Sequence, residues 1–231
     1  MKSPKIQETS DSDNPFYSQT GQVNLSNVLF DLFIAGSDTT ANTMDWAMLY
    51  MILNSDVQTK VWQELNQNFG DKKAKMAEKH KIPYTEAVIH EIQRMANVLP
   101  LSVFHNTKTN VDLGKYSLPP NTTFIPFIGD IMNDPEHFPE PSKFSPKRYL
   151  EVENTSGEIK FKPNPRVIPF CVGKRRCLGE VLARMTLYKF FTAIIQKYEI
   201  VSGQSEPIID VRNTSYVKAP LKYKLIFKPR R

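Results

Sequence analysis

The sequence predicts a mainly α fold with minor β, and two observations carry that reading. Apolar residues recur at steps of three and four from Leu25 to Met51 and again beyond Gly179, the spacing of helices with one buried face. Eleven of the 17 prolines fall between Pro100 and Pro169, which leaves that stretch to turns, extended chain and short strands, with helices on either side. With 231 residues, 40% hydrophobic and 23% charged, the chain can bury a core as one large domain or two small ones.

The first helix follows from Leu25, Leu29, Leu32, Phe33, Gly36, Thr40, Thr43, Ala47, Tyr50 and Met51, which share a face. Asn24 or Ser26 is its expected cap, and Asn54-Ser55-Asp56 its expected end. At ~1.5 Å per residue it spans about 40 Å, enough for a central helix crossing a domain. In its middle, AGSDTT (residues 35–40) interrupts apolar sequence. Gly36 costs roughly 1 kcal/mol relative to alanine, and hydroxyls bonding back to the preceding turn bend helices. Two readings stand: a kink or tight helix crossing at Gly36 with Asp38 solvated, or a site that something flat approaches.

Val57 to Phe69 reads as a second helix, and Lys72 to His80 as a charged loop or short helix. The next helix runs from about Tyr84 to Val98. Tyr84, Ala87, Val88, Met95 and Val98 share one side of it, with Glu91 among them and Arg94 at the border. A carboxylate on the core side needs a partner, and Arg94 at i+3 is placed to supply one. That pair reads as structural, because an arginine holds the carboxylate ionised, a poor state for a general acid.

After Pro100 come short strands around LSVFH and VDLGKYSLPPNTTFI, then the loop NDPEHFPEPSKFSPKRYL and a polar turn at Gly157. Beyond Gly179, Val181, Leu182, Met185, Leu187, Tyr188, Phe191, Ile194 and Ile195 define a helix ending near Tyr198. Alternation in KYKLIF and a turn near Arg212, Asn213, Thr214 and Ser215 predict a closing β-hairpin.

Charge and termini exclude some functions. A net charge of +6 spread over both halves is a weak argument for nucleic acid, and none is expected as a partner. The opening MKSPKIQETSDSDNPFYSQTGQ has neither an apolar signal core nor a span of about 20 apolar residues, so no membrane anchor is expected in the chain as written.

Both cysteines lie in PFCVGKRRCLGE, residues 169–180. Without a C-x-x-C spacing or clustered histidines, zinc is disfavoured. A disulfide around Gly173 stays open but is unusual in an intracellular-looking chain. A nucleophilic cysteine wants a histidine base, and His80, His90, His105 and His137 are far away in sequence. A single metal thiolate uses all the features. Cys177 stands just ahead of a helix, where backbone N–H groups, the helix dipole and three preceding cations favour the anionic sulfur. Gly173 permits a bulge, so that the sulfur faces a bulky planar ligand. Thiolate beneath a large cofactor points to haem iron, and arginine nearby suits the carboxylates of that cofactor.

Phe170, Gly173, Arg175, Cys177 and Gly179 spell F-x-x-G-x-R-x-C-x-G, which is identified as the haem-thiolate signature of the cytochrome P-450 monooxygenases. AGSDTT resembles the oxygen-activating motif on that family's long central helix. Glu91-x-x-Arg94 followed by Pro146 and Arg148 in FSPKRY resembles its Glu-Arg-Arg triad. The four patterns stand in the family's order, and the resemblance covers nearly the whole chain. It is to the C-terminal half only, and closest to animal microsomal members.

The resemblance implies one domain portion over 1–231: a linker (1–23), the central and Glu-x-x-Arg helices (24–99), a β and meander region (100–169), and the haem loop, helix and hairpin (170–231). It implies haem (iron protoporphyrin IX) with Cys177 as axial ligand, Arg175 and His105 on the propionates, and Phe170, Gly173 and Gly179 shaping the loop. Asp38 and Thr39 would organise proton delivery to dioxygen; Glu91, Arg94 and Arg148 would support the fold. Ser102, Val103, Asn213, Thr214 and Ser215 would occupy segments facing a pocket for a small apolar organic substrate. Lys160, Lys162, Lys174 and Arg176 would dock an acidic, NADPH-dependent flavoprotein reductase, or are ordinary solvated cations. The endoplasmic reticulum membrane is the implied location of a full-length parent. Cys171 stands where the family often has serine, and PKRY (146–149) where PERF is commoner. The N-terminal helices, their part of the pocket and a further propionate-binding helix have no counterpart. A truncated, catalytically inactive haem-binding fragment is therefore the alternative.

Overall fold

The computed structural model describes residues 19–155, 157–204 and 216–230, with long helices on either side of a middle built from short strands and turns. The described α-helices are α1 (Gln19–Leu53), α2 (Ser55–Phe69), α3 (Pro83–Ala96), the single turn α4 (Ile128–Ile131) and α5 (Glu180–Lys197). Antiparallel pairs join β1 (His105–Asn106) to β4 (Thr123–Phe124), and β2 (Val111–Leu113) to β3 (Tyr116–Leu118). Two more join β5 (Leu150–Val152) to β6 (Ile159–Phe161), and β7 (Tyr198–Ser202) to β8 (Leu225–Pro229). Helix thus outweighs strand, as the periodicity predicts.

Chain contacts divide into two units, residues up to Asp38 and residues from Thr39 onward. The first contains the opening part of α1, which starts ahead of both expected caps. Ser26 turns its Oγ onto the Gln22 carbonyl at 2.9 Å, a bond inside the helix rather than at its start. Val23, Leu25, Leu29, Phe30 and Phe33 are between 46% and 71% exposed, so the burial expected of a central helix is not reached there. Apolar residues lie on and off the predicted face alike, the pattern of a helix that needs cover on more than one side.

The second unit holds the core. Trp46 to Met51 of α1 are buried together with Val61 and Leu65 of α2, Val88 and Ile92 of α3, Phe191 and Ile195 of α5, and Ile200 of β7. From α3, Ala87 enters a second buried cluster with Ile128, Met132, Phe138, Tyr149 and Val167. Helix α3 therefore belongs to both clusters.

Its ends explain its placement. Pro83 pre-sets the first turn, and Glu64 of α2 accepts bonds from the Tyr84 and Thr85 amides (2.9 and 2.7 Å) and from Thr85 Oγ1 (2.6 Å). A cap of this kind is worth about 1 kcal/mol, and here it also ties α2 to α3. Burial raises the Glu64 pKa while those bonds oppose the shift. At the other end Asn97 takes φ 37°, so the helix stops before the expected Val98.

The strands depart from expectation in extent. LSVFH is extended only from His105, because Ser102 adopts φ 53° and bonds its amide to the Leu99 carbonyl at 3.0 Å. Gly157 (φ 69°) sits in the turn between β5 and β6, a hairpin that strand periodicity did not reveal. The C-terminal pairing aligns Tyr198 with Pro229 and Ser202 with Leu225; the turn expected near Arg212 lies outside the described residues. Gln58 of α2 completes that edge, donating to the Met51 and Ile200 carbonyls (3.0 and 2.9 Å) and accepting from the Ile200 amide (2.7 Å).

His90 of α3 is buried edge-on to Tyr149 and Phe161, and its Nε2 lacks a partner among the described residues. Burial, then the Arg184 guanidinium, push its pKa down to about 4 from 6.5. The unfolded chain therefore binds the extra proton first: this stabilisation is complete above pH 6.5 and is lost as pH falls to 4, some 3 kcal/mol in all. Urea unfolding of wild type and His90→Phe at pH 7 and pH 4 should diverge by about that amount, wild type losing more; parallel losses would remove His90 from acid sensitivity.

Candidate functional site

The cysteine loop is closed on itself by backbone bonds. Cys171 N donates to Ile168 O at 2.9 Å, Arg176 N to Gly173 O at 3.2 Å, and Cys177 N to Phe170 O at 2.9 Å. A 3-10 turn spans Gly173–Arg175, and Gly173 enters it at φ 81°, a conformation that costs any other residue strain. Cys171 pays that cost itself, at φ 60°. Both thiols are free, and no histidine hydrogen-bonds to either among the described residues.

Cys177 is exposed, and so are the apolar side chains that follow it: Leu178 at 89%, Val181 at 72% and Leu182 at 71%. A Cβ at Gly179 would stand 3.9 Å from Cys177 Sγ, so the glycine leaves the sulfur's surroundings open. A thiol flanked by uncovered large apolar groups at a helix start fits a broad apolar ring carrying a metal. Arg175 is exposed and has no ionic partner among the described residues, so its guanidinium is available to carboxylates of such a ring. His105, on β1, hydrogen-bonds through Nδ1 to Val103 O at 2.8 Å and lies against Phe124. No bond joins His105 to Arg175.

Phe170 is held from the other side of the loop. The Arg184 guanidinium sits 4.9 Å from its ring, donates to Glu180 Oε1 at 2.9 Å and reaches Gln93 Oε1 of α3 at 3.1 Å. A cleft of about 270 Å³ opens here, lined by residues 167–173, Arg176, Glu180 and Arg184. Cys171 lines it and Cys177 does not.

Glu91, Arg94 and Arg148 meet. Glu91 and Arg94 are fully buried and joined twice, Nε to Oε2 at 2.8 Å and Nη2 to Oε1 at 3.0 Å. Arg148 Nε reaches Glu91 Oε1 at 3.2 Å, and the Ser145 amide donates to the same oxygen at 3.0 Å. Arg94 turns two further donors to the Met132 and Pro141 carbonyls, both at 2.8 Å, and lies over the Phe138 ring. Burial works against its charge, but the Glu91 carboxylate outweighs it and the Arg94 pKa is raised. Sequence reasoning missed Tyr149, whose hydroxyl donates to Glu91 Oε2 at 2.7 Å. Burial, then the Glu91 charge, raise that phenol well above its ordinary range, so it stays a donor. The only sequence trace of it was tyrosine in PKRY.

Asp38 is exposed and ends the first unit; Thr39 begins the second. Helical backbone continues through residues 35–40, Thr43 Oγ1 bonds back to Thr39 O at 2.8 Å, and a Cβ on Gly36 would meet nothing within 4 Å. Lys160 and Lys162 pair at the surface with Glu153 (2.6 Å) and Glu151 (2.5 Å), and Lys174 and Arg176 are exposed. Among the described residues no helix is long and apolar enough to cross a membrane.

The sequence profile of the cytochrome P-450 family matches residues 4–227. The chain is 36% identical over 210 residues to cytochrome P-450 2A6 of Homo sapiens, which covers 90% of this chain and 42% of that protein. It is 35% identical over 210 residues to human cytochrome P-450 2A7, with the same coverage. Against cytochrome P-450 2D20 of Mesocricetus auratus, identity is 39% over 187 residues, 80% of this chain and 36% of the hamster protein. The chain spans about two-fifths of the length of the curated relatives it matches.

Proposed function

This chain belongs to the cytochrome P-450 family of haem-dependent monooxygenases, and on that premise we propose that it is the haem-bearing portion of an enzyme that inserts one oxygen atom of dioxygen into an apolar organic substrate. Electrons would come from NADPH through a flavoprotein reductase, and the full-length parent would sit at the endoplasmic reticulum membrane. The observation that carries the reading is the exposed Cys177 thiol in a closed loop, bordered by uncovered Leu178, Val181 and Leu182. Haem, when bound, supplies the oxygen chemistry, and a thiolate ligand favours O–O cleavage.

The protein's part is to hold and to deliver. Cys177 would bind the iron, with its backbone fixed by the Phe170 carbonyl. Arg175 and His105 would pair with the propionates, Phe170, Gly173 and Gly179 would shape the loop, and Asp38 and Thr39 would relay protons from solvent. Glu91, Arg94 and Arg148 bind no substrate in this reading; they hold the turn at 145–149 to α3. Lys160, Lys162, Lys174 and Arg176 would present a basic face to an acidic reductase.

A second reading, a catalytically inactive haem-binding fragment, is favoured by the exposed apolar residues of α1. One experiment separates them: the absorption spectrum of the purified chain with haem, reduced and under carbon monoxide. A strongly red-shifted Soret band is expected if this chain alone builds the thiolate site. No haem uptake, or a band of nitrogen-ligated type, would transfer the enzyme claim to a longer protein.

A further inference from the structure

We propose that Tyr149 is a fourth member of the buried Glu91 assembly and a positioning residue for the Cys177 loop. Its hydroxyl and its ring act on different partners. The hydroxyl donates to Glu91 Oε2, the oxygen that also receives Arg94 Nε. The ring, 1% exposed, shares a buried cluster with Val167, against which Ile168 and Cys171 pack. Those residues are the first limb of the loop that ends in the Cys177 N to Phe170 O bond.

Helix α3 therefore grips the loop at two places. One runs from Gln93 through Arg184 to the face of Phe170. The other runs from Glu91 to Tyr149, which belongs to the buried cluster that holds Val167 and against which Cys171 packs. Arg94 and Arg148 turn their other donors to carbonyls at Met132, Pro139, Pro141 and Lys143, all before the 3-10 turn Pro146–Tyr149, and none reaches the loop. Tyr149 is itself part of the buried cluster against which Cys171 packs, whereas Arg94 meets that cluster at the Phe138 ring and the Met132 carbonyl. Phenylalanine at this position keeps the packing and forfeits the anchor, so the ring is free to shift and the loop with it.

Hydrogen exchange of the haem-free full chain tests this. Tyr149→Phe should raise exchange at the Cys171 and Cys177 amides by about tenfold or more, the cost of one hydrogen bond to a buried charge. Gln58→Ala serves as reference, because it removes buried bonds to β7 and leaves the loop alone. At matched urea stability it should leave those two amides unchanged. Equal exchange in the two variants would overturn the proposal. Should Tyr149→Phe not fold, the wild type decides: the amides of Arg148, Cys171 and Cys177 are expected to open with one urea dependence, and independent opening would count against the coupling. The functional meaning rests on Cys177 being the axial ligand, but the exchange measurement does not, so either claim fails without the other.

Discussion

Cys177→Ser is expected to abolish the red-shifted Soret band of the reduced carbon monoxide complex while leaving the chain folded. The side chain is exposed and makes no hydrogen bond among the described residues, so its replacement costs within about 0.5 kcal/mol of stability. The backbone bond from residue 177 to Phe170 O survives the change. What is lost is ligand chemistry, because a serine hydroxyl does not provide the soft, electron-donating anion that a thiolate does. Cys171→Ser is the control. That thiol lines the neighbouring cleft, and its residue is held at φ 60° by the Ile168 bond, so the band should persist. A band that survives in Cys177→Ser and vanishes in Cys171→Ser would move the ligand to the wrong side of Gly173 and undo the site as drawn.

The long helices are legible because their signal is local and repeated. Caps are less so: Asn24 and Ser26 are good cap residues by type, yet α1 passes through both, since a cap acts only where the preceding chain leaves the helix. The apolar residues from Val23 to Phe33 predict burial, and the structure leaves them exposed. Hydropathy states a demand for cover without naming what meets it. Glu91 is legible from the helical wheel, because a carboxylate among core residues requires partners, and Arg94 stands one turn away. Tyr149 is not, since a phenol in a proline-rich turn carries no periodic signal and its partner is 58 positions distant. Glu64 and Gln58 stay hidden for a related reason: on α2 they look like ordinary polar residues, and only the approach of α3 and β7 makes them caps. The ion pairs of Lys160 and Lys162 are likewise hidden along the chain, since it is the β5–β6 pairing that sets them near Glu153 and Glu151.

Glu91→Gln should be the most damaging single change to the fold, with a loss of about 3–5 kcal/mol in urea unfolding. The substitution is nearly isosteric, so no cavity opens and the cost is electrostatic. Glu91 receives Arg94 Nε and Nη2, the Ser145 amide, Arg148 Nε and the Tyr149 hydroxyl. Glutamine offers one acceptor oxygen, and its amide turns two hydrogens toward groups that are themselves donors. Arg94, fully buried, is left with a charge that carbonyls alone solvate. Arg148 is partly exposed and keeps its bonds to Pro139 and Lys143, so it suffers less. The turn at 145–149 then loses its hold on α3, and a domain with about 5–15 kcal/mol in hand has little left. A double variant, Glu91→Leu with Arg94→Met, removes both buried charges together and should lose less than the sum of the two single changes, because neither partner is stranded. If Glu91→Gln cost under about 1 kcal/mol, the ion pair would be incidental to the fold, and the Tyr149 cluster would have to hold the turn by packing alone.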